Sequence, residues 1–230
     1  MLNTLSSLWM GLRDILSGEG GRRTSCQNNM KQFGLVFKMF ENENQRRCWP
    51  VLDPRAGHLS FANENPGGQR VYPEYLSDAT IMICPNDTRH YALRSTPGPG
   101  LLDNGSYYYL GYAIQNIEEL RAFSNAYKAH IAAKQPFEDD IDTPNGKLYR
   151  LREGVERFLI TDLNNAASSA MLQSRIPVLI EPPEHSPAGG NILFMDGHVE
   201  FIRYIPNSDA SQFPMDKETM NILRSLSEVR

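Results

Sequence analysis

The sequence predicts an α+β fold in which an N-terminal helix packs on an antiparallel β-sheet, with long ordered loops between elements. Three observations predict it. Met30, Phe33, Phe37 and Phe40 recur at three- and four-residue spacing and form one apolar face of a helix. The run from Asn191 to Tyr204 reads as two β-rich strands joined at Asp196 and Gly197. The stretch between, from about residue 43 to residue 105, is rich in Pro, Gly, Asn and Asp, which favours loops.

Composition sets the outer limits. The chain has 230 residues, of which 40% are hydrophobic and 22% charged, enough apolar material for a folded core and too much for a disordered chain. Twenty-three Lys and Arg against 27 Asp and Glu leave a net charge of -4. The basic residues make no stripe beyond the pairs Arg22, Arg23 and Arg46, Arg47, so nucleic acid is not an expected partner. No run of about 18 apolar residues occurs, so no segment is suited to cross a bilayer as a helix. Ser, Asn, Arg and Asp interrupt the N-terminal apolar residues, unlike the continuous core of a signal peptide. Cys26, Cys48 and Cys84 are too few for a disulfide framework and lack the spacing of zinc or thioredoxin motifs.

Taken in order, Leu5, Leu8, Trp9, Leu12, Ile15 and Leu16 form the stripe of a short amphipathic helix, and three glycines between residues 17 and 21 predict a linker after it. A domain boundary is therefore expected at residue 21, with one globular domain over residues 22–230. The helix carrying Met30 to Phe40 is expected from Thr24 or Ser25 to Asn42. Thr80 to Cys84 reads as a short strand inside the loop region. A second strand is expected over Ser106 to Tyr112, after the Asn104, Gly105 turn. Ile117, Leu120, Tyr127 and Ile131 predict a helix that stops before Pro136, followed by an acidic loop from Glu138 to Asp142. Asn145 and Gly146 mark a hairpin turn into a strand beginning at Lys147. Arg157 to Asp162 reads as another strand. At Asp196 and Gly197 a two-residue type I′ turn is expected, pairing Met195 with His198, Phe194 with Val199 and Ile192 with Phe201. Ile192, Phe194, Val199 and Phe201 then share the core face.

At this hairpin the sequence resembles a known family. His185 to Phe201, with His185, Asp196, Gly197 and His198 in the signature, is similar to the prepilin-type processing-associated H-X9-DG family. Arg22 to Gly34 is similar to that family's helix after the membrane span. Cys84, Pro85, Asn86 and Asp87 are similar to its C-P-x-D loop, and Ser106 to Tyr109 to its aromatic strand. The likeness covers roughly residues 22–205. Ten residues, not nine, separate His185 from Asp196, and residues 1–21 stand where the family has a leader and a hydrophobic span. The resemblance implies a pseudopilin-like structural subunit of a type II secretion or type IV pilus-like system, not an enzyme. It also implies partners that are other pilin-like subunits or further copies of the chain, assembled through the N-terminal helix. It implies a location on the periplasmic face of the inner membrane if a leader and span exist upstream, and a cytoplasmic one if the chain is complete.

Candidate sites follow. His185, Asp196 and His198, with Asp162, carry groups that suit metal or acid–base chemistry, and a small metal-dependent hydrolase is the competing reading. The turn role of Asp196 and Gly197 explains the same residues without chemistry. Asp139, Asp140 and Asp142 offer oxygen ligands, and pseudopilin relatives of the G type are associated with a calcium site, but the EF-hand spacing is absent. No other cofactor is expected. Cys26 and Cys84 both sit in family motifs and pair if the protein is exported; buried free thiols are the alternative. An aromatic surface over Tyr107 to Tyr112 suits capture of a glycan or peptide, the third reading.

Overall fold

The computed structural model describes residues 18–54, 59–88, 101–102, 105–160, 166–186, 189–206 and 212–229. The amphipathic stripe of residues 4–16 and Asp162 lie outside them. The fold is α+β. Helix α1 spans Glu19–Glu43, α2 Ile117–Ala133, α3 Ala166–Gln173 and α4 Lys217–Ser227. The strands are β1 (Leu52–Asp53), β2 (Ser60–Phe61), β3 (Tyr108–Tyr109), β4 (Ile141–Thr143), β5 (Gly146–Leu148), β6 (Pro177–Ile180), β7 (Gly189–Phe194) and β8 (Val199–Arg203). The main sheet has the order β3-β6-β7-β8, antiparallel throughout, and β1-β2 and β4-β5 form two small antiparallel ladders.

Met30, Phe33, Phe37 and Phe40 are completely buried, which fixes how α1 lies. The helix begins at Glu19, about five residues before the expected start, so Gly20 and Gly21 fall in its first turn and not in a linker. Thr24 and Ser25 do not cap it; their hydroxyls donate back to the carbonyls of Gly20 and Gly21, at 3.0 Å each. The helix runs across β7 and β8. Gly34 makes the close approach possible: a Cβ there would sit 3.3 Å from Leu193 Cδ1 and 3.6 Å from Gly197 Cα. Towards the N-terminus the Arg23 guanidinium covers the ring of Phe201 at 4.7 Å. Beyond the sheet, Phe37 meets Trp49, Phe61 and Tyr109 at ring-centroid distances of 5.2 to 5.4 Å, joining helix, loops and β3 in one aromatic core.

The hairpin exists, but its register is one residue from the expected one. Leu193 pairs with Val199, Ile192 with Glu200 and Asn191 with Phe201. The turn has three residues, Met195, Asp196 and Gly197, because only Gly197 adopts a positive φ, 91°, where a type I′ turn needs two. The Gly197 N–H donates to Phe194 O, the Phe194 N–H to His198 O, and Asp196 Oδ1 accepts the His198 N–H at 3.1 Å. Leu193, Val199, Asn191 and Phe201 therefore share the face under α1, while Ile192 and Glu200 point the other way. Every residue of β7 is buried, so Ile192 reaches the core regardless, whereas Val199 and Phe201 are half-buried.

Two expected strands begin in 3-10 turns instead. Asp78 accepts from the Thr80 N–H and hydroxyl and caps Ala79–Met82, a local bond that outcompetes extended pairing. Gly154, at φ 73°, opens another over Val155–Phe158. The expected strand from Ser106 to Tyr112 shortens to Tyr108–Tyr109, paired with Ile180 and Leu179. Helix α2 matches its expected spacing, with Asn116 Oδ1 accepting from Glu119 N–H and Glu119 accepting from Gln115 N–H in a reciprocal cap. Helix α4 was not foreseen. Asp216 caps it, Met220, Leu223 and Leu226 are buried, and Glu218 holds Arg121 of α2 through two bonds of 2.6 and 2.8 Å.

Candidate functional site

Four elements converge on one buried cluster. Cys26 comes from the sheet-facing side of α1. Cys84 follows the 3-10 turn that buries Ile81, Met82 and Ile83, and the two cysteines are joined in a disulfide with Cα atoms 5.4 Å apart. The Cys84, Pro85, Asn86, Asp87 segment then folds on itself, with the Asp87 N–H donating to Cys84 O. Asp87 is thereby aimed inward, where its Oδ2 accepts the Ser106 hydroxyl at 2.8 Å and lies 3.2 Å from His185 Nε2. Ser106 is fixed by its own N–H, donated to Met82 O. His185 sits in the loop joining β6 to β7.

Glu181, the first residue after β6, completes the cluster. Its side chain is fully buried, one oxygen 2.8 Å from Cys84 Sγ and 4.0 Å from His185 Nδ1. The other oxygen accepts two bonds from Asn191 of β7, from the backbone N–H at 3.0 Å and the side-chain amide at 2.5 Å. Burial pushes the Glu181 carboxyl above its ordinary range; the Asn191 donors and His185 pull it back, and Asp87 pushes it further up. Cys26 Sγ, Cys84 Sγ and a Glu181 oxygen lie within 4.8 Å of one another, the one His, Cys, Asp or Glu trio so close among the described residues. Both sulfurs are committed to a covalent bond and not to an ion.

His185, Asp196 and His198 do not meet. His185 and Asp196 lie at opposite ends of β7, and an extended strand of that length spans roughly 17–20 Å. His185 is buried between Asp87 and Glu181. His198 is at the exposed turn, its Nδ1 2.6 Å from Asp196 Oδ1 and its ring stacked on Phe194 at 4.6 Å. The metal-hydrolase reading, which needs those three side chains around one ion, has no such site. The acidic loop is equally divided. Asp139 pairs with Arg46, Asp140 with Arg152 at 2.6 and 3.0 Å, and Asp142 with Lys147 at 3.2 Å. The Arg152 pair holds Asp140 below the usual carboxylate range against the opposing effect of burial. Each carboxylate that calcium would need already has a cation of the protein.

The aromatic segment is not a surface either. Tyr107, Tyr109 and Tyr112 are buried; the Tyr109 hydroxyl donates to Pro50 O at 2.7 Å and that of Tyr112 to Asp139 O at 3.0 Å. Cys48 is a buried free thiol. A separate groove of about 1010 Å³ opens between Val51, Leu52 and Pro54 on one side and His130, Ile131 and Phe137 on the other, sharing no residue with the cluster. The central residues missed in the sequence are Glu181 and Asn191. Their signal is faint: an acid ending the apolar run Val178, Leu179, Ile180, and an amide inside a strand. No family model, no curated protein and no solved structure matches this chain.

Proposed function

We propose that this chain is a non-catalytic structural subunit of pseudopilin type, assembling with further copies of itself or with similar subunits. The observation that carries the reading is the convergence of the motif residues. Cys26, Cys84, Asp87 and His185, which belong to three of the resembling segments, are buried together and tie α1, the C-P-x-D loop and the β6–β7 connection to one another. These four residues, buried from solvent, serve architecture: they set the angle of a long helix on its sheet. The outward side of α1 meanwhile leaves Leu35 and Met39, one helical turn apart, 67% and 49% exposed. The disulfide favours the extracytoplasmic of the two expected locations, since such bonds persist in oxidising compartments. No helix among the described residues is long and apolar enough to cross a membrane.

Cross-linking tests the assembly role. With Leu35→Cys or Met39→Cys on the exposed face, a homobifunctional maleimide applied to the full chain in its host should trap a covalent dimer, the limit for one reactive thiol per chain. A single monomeric band over the whole range of expression levels would overturn the reading.

A further inference from the structure

The contact between Glu181 and Cys84 carries a chemical consequence independent of the assembly role. A disulfide sulfur bears no proton, and a carboxylate oxygen bears none either. Glu181 Oε1 and Cys84 Sγ are 2.8 Å apart, so an ionised oxygen would set its lone pairs directly against those of the sulfur. A proton on the carboxyl relieves that opposition. The second carboxyl oxygen already accepts two N–H groups of Asn191, so the proton belongs on Oε1, facing the sulfur. The surroundings agree. One imidazole, that of His185, stands between two acids, Asp87 and Glu181. Among the described residues, Glu181 also faces the sulfurs from α1 and the C-P loop and the neutral amide from β7.

We propose that Glu181 is the resident proton carrier of the Cys26–Cys84 couple, a carboxylic acid when the cysteines are bonded and a carboxylate when they are reduced. In reduction by a dithiol, its thiolate attacks Cys26 Sγ, the Cys26–Cys84 bond breaks, and the electron pair leaves on Cys84 Sγ. Glu181 Oε1 gives its proton to that sulfur. The second thiol of the reagent then displaces Cys26, which takes a proton from solvent. The dithiol loses two electrons and two protons; the protein gains two electrons and a net one proton, and one proton is released. In the reduced protein the Cys84 S–H donates to the Glu181 carboxylate. In the reverse direction that carboxylate is the base that frees Cys84 to attack a mixed disulfide on Cys26, so bond formation has its own buried base.

The released proton is the test. Wild-type protein and Glu181→Gln are equilibrated with fixed ratios of reduced to oxidised dithiothreitol at pH values from about 5 to 8, below the ordinary thiol range. Thiols are then counted by maleimide mass-tagging, with Cys48 adding one to each species. Gln keeps the size and offers an N–H to the sulfur but does not titrate. The wild-type ratio of reduced to oxidised protein should rise about tenfold per pH unit between the Glu181 pKa values of the two forms, and the Gln variant should be flat. Infrared spectra of the oxidised protein near about pH 6, where exposed carboxyls are ionised, should show a protonated-carboxyl band that Glu181→Gln lacks. Trp49 fluorescence, in a Trp9→Phe background, reports whether the reduced protein keeps its core, and where it does not, the infrared result decides alone. A wild-type ratio as flat as the variant's in folded protein, or no such band, overturns the proposal.

Discussion

His185 Nε2 lies 3.2 Å from Asp87 Oδ2, joining two residues 98 positions apart, both buried, in segments that share no strand pairing. The link fastens the loop after Cys84 to the loop before β7. Removing one member of a buried pair leaves the other without its compensation, which is more damaging than removing both. Asp87→Ala should therefore destabilise the protein by about 3 kcal/mol in urea unfolding, with the Ser106 hydroxyl also losing its acceptor. The double variant Asp87→Ala, His185→Ala should fall well short of the sum of the singles. Full additivity would show that the pair is not coupled.

The disulfide acts on the unfolded chain. Cys26 and Cys84 are 58 residues apart in sequence, and closing a loop of that length lowers unfolded-state entropy by an amount worth about 4 kcal/mol. Replacing both cysteines with Ala should reduce stability by about that figure, extrapolated from each protein's own denaturation midpoint and slope, with a steeper slope for the uncrosslinked chain. A loss below about 1 kcal/mol would mean that the unfolded chain is already compact near these residues.

Much of this frame was legible in the sequence, and the failures have physical causes. The spacing of Met30, Phe33, Phe37 and Phe40 gave the buried face of α1 because an apolar stripe on a helix has few other uses. The start of α1 was misplaced because Gly20 and Gly21 are poor helix formers that the rest of a 25-residue helix can carry. The register of β7 on β8 was displaced by one because the Asp-Gly pair is compatible with both two- and three-residue turns, and the difference is a single φ angle at Asp196. The His185, Asp87, Glu181 cluster was illegible because nothing local marks an acid that will be buried; its partners arrive from loops and strands distant in sequence. Asp196 and His198, for which the turn reading already accounts without chemistry, are a turn residue and its exposed neighbour.

That last distinction can be measured. His198→Ala removes a ring stacked on Phe194 and a contact with Asp196, both at the surface, and should change stability by no more than about 1 kcal/mol. Gly197→Val places a β-branched side chain at φ 91° and should be worse by at least about 1 kcal/mol than His198→Ala. The reverse order would assign His198 a role beyond the turn.

Gly34 is a close approach between α1 and the hairpin. Alanine there gains helix propensity, worth about 1 kcal/mol, and meets the movable Cδ1 of Leu193, so Gly34→Ala should be close to neutral. Leucine must displace Leu193 or lift the helix from Gly197, and overpacking of this kind costs about 1–3 kcal/mol. Gly34→Leu should show that loss with a fall in disulfide yield, because Cys26 rides on the same helix. An unaffected Leu variant would place α1 farther from the hairpin.

Glu41 gives the fold a pH signature. Its carboxyl is buried on α1, accepting from Trp49 Nε1 at 2.9 Å and paired with Lys38 Nζ at 3.0 Å, and burial outweighs both in raising its pKa. A folded pKa above the unfolded value means that the native state holds the proton more tightly. The resulting stability is fully present below the ordinary glutamate range and is lost as pH rises through the folded pKa. Glu41→Gln keeps an acceptor for the indole and removes the titration. The difference in unfolding free energy between wild type and Glu41→Gln should therefore shift against the wild type as pH rises from about 4, then level off above the folded pKa. A difference that moves the other way would show that the Lys38 pair, not burial, governs this carboxyl.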